Sequence, residues 1–174
     1  MKIIDILSRY KRNIAGEWLR QTMGAYPAEG LKILQKNEDQ FANPLFYLIS
    51  EGIEKLFEEL LKGAETKEVT SILEQVVKIK AVQDFDPSQS LEFIFFLKDI
   101  IRERLKKDLP NEDFSGELYI IERRIDKIAL IAFDIYMKSR ERLFEIQAQE
   151  VKNQTYMLIR QANEVSKQKR RGKK

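Results

Sequence analysis

Three carboxylates stand among apolar neighbours: Glu92 inside the run 91–97, Asp126 directly after Ile125, and Asp134 between Phe133 and Ile135. An ionised carboxylate in an apolar interior is costly unless it is paired. Lys80, Lys98, Arg123, Arg124 or a tyrosine hydroxyl can supply the pairing. On one reading, Asp134 or Glu92, together with Gln83, lines a small polar pocket between helices in which a ligand is sensed. On the other, the carboxylates form internal salt bridges that fix helix register, or stand at the edge of a buried face. The second is the commoner arrangement and carries the greater weight.

Other chemistry is bounded by inventory. The chain of 174 residues has no histidine and no cysteine. That removes Cys/His zinc sites, iron-sulfur clusters, histidine-ligated haem, disulfide frameworks, thiol nucleophiles and a Ser-His-Asp triad. There is no G-x-S-x-G, Walker-type or G-x-G-x-x-G motif, and the seven glycines stand singly. Glu58 and Glu59 are adjacent but read as a solvated helix face, and a di-iron bundle site would need Glu-x-x-His pairs. The expectation is a protein that is not an enzyme and needs no cofactor or metal.

The elements that must position these residues read as helices throughout, without credible strand alternation. A first helix is expected over residues 4–23, with Leu7, Ile14, Trp18 and Leu19 on its apolar side, and a short one over 28–36. Asn43 and Pro44 then cap and open an amphipathic helix that Gly63 stops. The next runs from about Thr66 toward Gln83. Asp86 caps another, with Pro87 at its first position and Gln89 placed to close a capping box. The run 91–97 is apolar on nearly every side, which predicts a helix surrounded by others. Aromatic residues such as Trp18, Phe93 and Tyr136 are read as packed core more readily than as the wall of a lipid pocket.

From Glu117 to about Lys169 there is neither proline nor glycine, so one helix of roughly 80 Å is predicted at about 1.5 Å per residue. Its first half carries core residues from Leu118 to Ile135; from Gln147 the apolar positions thin out among glutamine, asparagine and charge. The expected organisation is a single helical domain over 1–146 and an extended helix with a basic tail over 147–174. The tail holds Lys167, Lys169, Arg170, Arg171, Lys173 and Lys174. Of 31 basic residues these six leave 25 against 28 acidic ones, so the alkaline pI near 8.9 belongs to the tail. Met1 to Leu7 does not read as a signal peptide and no run approaches the roughly 20 apolar residues of a membrane span, so a cytoplasmic location is expected.

The stretch from Lys80 through Ala81, Val82 and Gln83 to Phe85, Pro87, Ser88, Gln89 and Ser90, followed by Phe93, Phe95 and Phe96, resembles the signature of the RsbT co-antagonist RsbRD N-terminal domain family. Lys80 replaces an arginine of that pattern and Ser90 an alanine. Trp18, the Tyr26 Pro27 pair, the segment 41–44 and the segments around Arg124 and Phe133 are similar as well, so the resemblance spans roughly residues 10–150. It implies an all-α, globin-like domain of about six helices without haem, acting as a stand-alone sensor or adaptor in bacterial signalling.

Two functional readings follow. In the first, the long C-terminal helix pairs with a copy of itself or with a protein partner and buries Ile146, Val151, Leu158, Ala162 and Val165. In the second, the chain is an accessory or anchoring subunit whose basic tail binds nucleic acid, an anionic membrane or a larger complex. The tail has no aromatic interleaving and no nucleic-acid-binding fold behind it, which sets the second reading behind the first.

Overall fold

In the computed structural model, which describes residues 2–24, 44–63, 66–82 and 86–171, every regular element is a helix. They are α1 Ile3–Arg9, α2 Lys11–Gly24, α3 Pro44–Lys62, α4 Thr66–Val82, α5 Pro87–Asp108 and α6 Ser115–Arg171. The helix expected over 28–36 lies outside the described residues, as does the turn around Gln83 and Phe85.

The start signals act as their chemistry requires. Pro44 and Pro87 occupy first helical positions, where a missing amide hydrogen costs nothing. The backbone N–H of Asp86 donates to Gln89 Oε1 at 3.1 Å, closing the expected capping box. Gly63 ends α3 with φ of +82°, a conformation that side chains with a Cβ resist. The orphaned carbonyls of that helix end are met from elsewhere: Arg124 Nη1 donates to the oxygens of Leu60 at 2.9 Å and Leu61 at 3.4 Å. Arg124 is therefore a helix cap supplied by α6.

The single helix expected over 4–23 is broken at Tyr10, whose φ of −92° and ψ of 8° leave the helical region. Ser8 Oγ donates back to the Ile4 carbonyl at 2.7 Å, a contact that bends helices, and the Tyr10 ring lies 4.5 Å from the Arg104 guanidinium. Neither proline nor glycine marks the break.

The fold divides into two compact units, residues 1–137 and 138–174. In the first, α2, α3, α4 and α5 form a closed ring of packed neighbours: α2 on α3, α3 on α4, α4 on α5 and α5 on α2. α3 and α4 approach closely at Gly52, where a Cβ would stand 2.5 Å from Val76 Cγ2. From α6, Ile121, Ile125, Ile128, Ala132 and Ile135 enter the same core, a spacing of three and four residues that lines one helix face. Ion pairs from Lys98 to Asp126 and from Arg102 to Glu122 tie α5 to this part of α6.

The expectation that α5 is enclosed on all sides is corrected here. Leu91, Phe93, Ile94 and Leu97 are buried, but Glu92 is exposed and Phe95 retains 45% of its surface. A helix in a ring has one outward face, and Phe95 covers part of it with the Lys98 ammonium 5.7 Å from its ring centre.

The second unit consists of the α6 residues from Lys138 onward. Its apolar side chains Phe144, Ile146, Val151, Leu158 and Val165 are all about half exposed or more.

Candidate interaction helix and a buried lysine

A long helix whose side chains find no core of their own presents them by rotation alone, about 100° per residue. On this rule Val151, Leu158, Ala162 and Val165 share one face of the second unit, within about 60° of one another. Ile146 stands five residues before Val151, about 140° around the axis, and so belongs to a different face. Phe144, seven residues before Val151, falls in line with the set and is 59% exposed. The sequence reading passed over it, although the seven-residue spacing was the available signal. Of the basic tail, Lys167 is exposed and Lys169, Arg170 and Arg171 continue the helix by backbone; Lys173 and Lys174 lie outside the described residues.

Of the three candidate pocket residues, the two that are described are both on the surface. Glu92 is exposed on α5, Asp134 is exposed on α6, and Gln83 lies outside the described residues. Asp126, the third carboxylate with apolar neighbours, pairs with Lys98 Nζ at 2.6 Å in a half-buried setting. Two clefts of the first unit avoid all of these. One of about 330 Å³ lies between α2 and α5 and is walled by Asn13, Glu17, Glu103, Arg104 and Lys107. A smaller one, about 110 Å³, sits between Leu60, Gly63, Val69, Arg124 and Ile131. Among the described residues no group of three or more acidic side chains converges to hold a metal ion.

The buried cation lies elsewhere. Lys80 on α4 is only 2% exposed, and its ammonium stands 5.3 Å from the centre of the Phe93 ring. The Trp18 ring is stacked on the same Phe93, with centroids 6.3 Å apart and planes 18° from parallel. Burial lowers the Lys80 pKa from its usual range to about 8, and the negative charge of Glu92 pulls it part of the way back. Glu92, exposed on α5, therefore acts on a buried lysine through its charge. The sequence already carried the signal for Lys80: it stands three, four and seven residues after Val77, Val76 and Leu73, in the middle of the buried stripe of α4.

Among the described residues no helix is long and apolar enough to cross a membrane. The model of a family described as "RsbT co-antagonist protein rsbRD N-terminal domain" matches residues 12–151. A curated relative, the uncharacterised protein MJ1461 of Methanocaldococcus jannaschii, is 27% identical over 93 residues, which are 53% of this chain and 47% of that protein. The chain thus spans about half the length of the curated relative it matches. No solved structure matches it, so the globin-like arrangement implied by the resemblance has no structural counterpart in these comparisons.

Proposed function

Since the chain belongs to the RsbT co-antagonist protein RsbRD N-terminal domain family, we propose that it is a non-enzymatic sensor or adaptor of a signalling assembly, acting on other proteins through the second half of α6. The family model ends at residue 151, within this helix, which supports reading the helical core as the sensor part and the helix around and beyond that point as the part that meets other proteins. The observation that carries the reading is the row Phe144, Val151, Leu158 and Val165, each more than half exposed. Single exposed apolar side chains are ordinary; a row of them at constant spacing on one helix marks a surface that is covered in use. The basic-tail reading rests on composition.

The test is the full chain carrying Val151→Glu and Leu158→Glu, compared with wild type for the proteins it retains from extracts of its native cell. Both positions are exposed, so the helical circular dichroism is expected to be unchanged while retention of partners is lost. A double variant that retains every wild-type partner refutes the proposal.

A further inference from the structure

The second unit is built on a seven-residue repeat. Phe144, Val151, Leu158 and Val165 occupy one position of it, and the small residues Ala148, Thr155 and Ala162 occupy the position four further on. The residue before each small one is glutamine: Gln147, Gln154, Gln161, and again Gln168. Alternate steps of four and three residues generate the seam of a two-stranded coiled coil. On the reading that this helix is an interaction surface, we infer that its partner is a second copy of the same chain, running antiparallel, with Val151 facing Ala162 and Leu158 facing Thr155 of the second copy.

Steric fit argues for this direction. A parallel pair would place like against like, so that layers of Ala148 or Ala162 with their own copies alternate with layers of paired Val151, Leu158 or Val165. The narrow and wide layers would then fight over one interaxial distance. The antiparallel pair sets one small and one large side chain in every layer from Ala148 with Val165 to Val165 with Ala148, which keeps the distance constant. It also brings Gln154 beside Gln161 of the second copy, where each amide can donate and accept.

Charge argues the same way. Residues 143–151 hold two acidic side chains and no basic one, a net charge of minus two. In this register they lie along 162–170 of the second copy, where three basic residues and one acidic give plus two. Parallel pairing would lay minus two on minus two and plus two on plus two.

The absence of cysteine makes the arrangement directly testable, because any introduced thiol is unique. Ala148→Cys and Val165→Cys are made separately in the full chain and oxidised mildly, alone and as a mixture. In the antiparallel pair Ala148 of one copy lies 17 residues, roughly 25 Å, from Ala148 of the other, far beyond the reach of a disulfide at about 6 Å between Cα atoms. The expected result is a covalent dimer in the mixture, little or none from either variant alone, and a wild-type mass by light scattering of twice 20.6 kDa. Ala148→Cys cross-linking by itself as readily as the mixture overturns the inference in favour of parallel pairing, and a dimer that cross-links in neither arm overturns the register. A wild-type mass of 20.6 kDa that does not rise with concentration overturns self-pairing. In that case loss of other partners on Val151→Glu and Leu158→Glu would still uphold the adaptor reading, so the two failures are distinguishable.

Discussion

Trp18 Nε1–H donates to the main-chain carbonyl of Phe93 at 2.5 Å, the two rings stack, and the buried Lys80 ammonium lies 5.3 Å from the Phe93 ring centre. One contact thus ties α2 to α5 by hydrogen bond and by ring packing, and α4 adds a cation to the same assembly. Because the buried indole donor is given to a main-chain carbonyl, it stays satisfied without leaving the core.

Trp18→Phe keeps a ring over Phe93 but loses the donor and part of the buried area. The expected cost is about 2 kcal/mol, from a hydrogen bond of about 1 kcal/mol and the smaller packing surface. Urea unfolding followed by circular dichroism reads it as a lower midpoint with unchanged slope. A midpoint equal to wild type would mean that the Trp18 contact contributes nothing to stability.

Lys80 makes stability depend on pH in a defined window. Its folded pKa of about 8 lies below the ordinary 10.5 of the unfolded chain, so between these values the unfolded state binds more protons and stability rises with pH. Below pH 8 the burial penalty is fully present, and above 10.5 it is gone. The difference of about 2.5 pH units corresponds to about 3 kcal/mol. Lys80→Met is expected to abolish this rise and to be the more stable protein at neutral pH. Parallel stability profiles for the two proteins across this window would contradict it.

Gly52 holds α3 against α4. A methyl group there would meet Val76 Cγ2 at 2.5 Å, so Gly52→Ala forces the two helices apart despite the better helix propensity of alanine. A loss of about 1–3 kcal/mol is expected, read as a lowered thermal midpoint. Val76→Ala in the same chain should recover part of the lost midpoint by making room; no recovery would place the strain elsewhere.

Ser90 is fully buried, and its hydroxyl has no hydrogen-bond partner among the described residues. An unsatisfied buried hydroxyl costs about 1–3 kcal/mol, so Ser90→Ala is expected to stabilise by about 1 kcal/mol after the loss of a little packing. Destabilisation would show that the hydroxyl has a partner after all. The position is also where this chain departs from the alanine of its family's pattern.

Some of this was written plainly in the chain. Asp86, Pro87 and Gln89 start α5 because their effects are local: a φ restricted by the proline ring, and a side chain that reaches an amide three residues away. Pro44 and Gly63 bound α3 for the same kind of reason. Periodicity placed Ile121, Ile125, Ile128, Ala132 and Ile135 in the core, because a helix turns by a fixed angle per residue.

Of the candidate site residues, those of the long helix were largely legible. Rotation alone gathers Val151, Leu158, Ala162 and Val165, and the same rule that admits Phe144 sets Ile146 on another face. The polar pocket was not legible. Apolar neighbours in sequence made Glu92 and Asp134 look enclosed, yet consecutive helical residues point in different directions, and both carboxylates are exposed.

Composition, the boundaries of α3 and the start of α5, family and the seven-residue repeat were therefore determined by the sequence itself, because each depends on interactions within about two turns of helix or on counting residues, whereas the break at Tyr10 was not. Only the tertiary structure decided that Arg124 caps a helix by a bond to a carbonyl 64 residues away, that Lys80 is the buried charge beside Phe93, and that Gly52 is a point of contact between helices. Those facts depend on which helices meet, and that is settled by the packing of the whole ring.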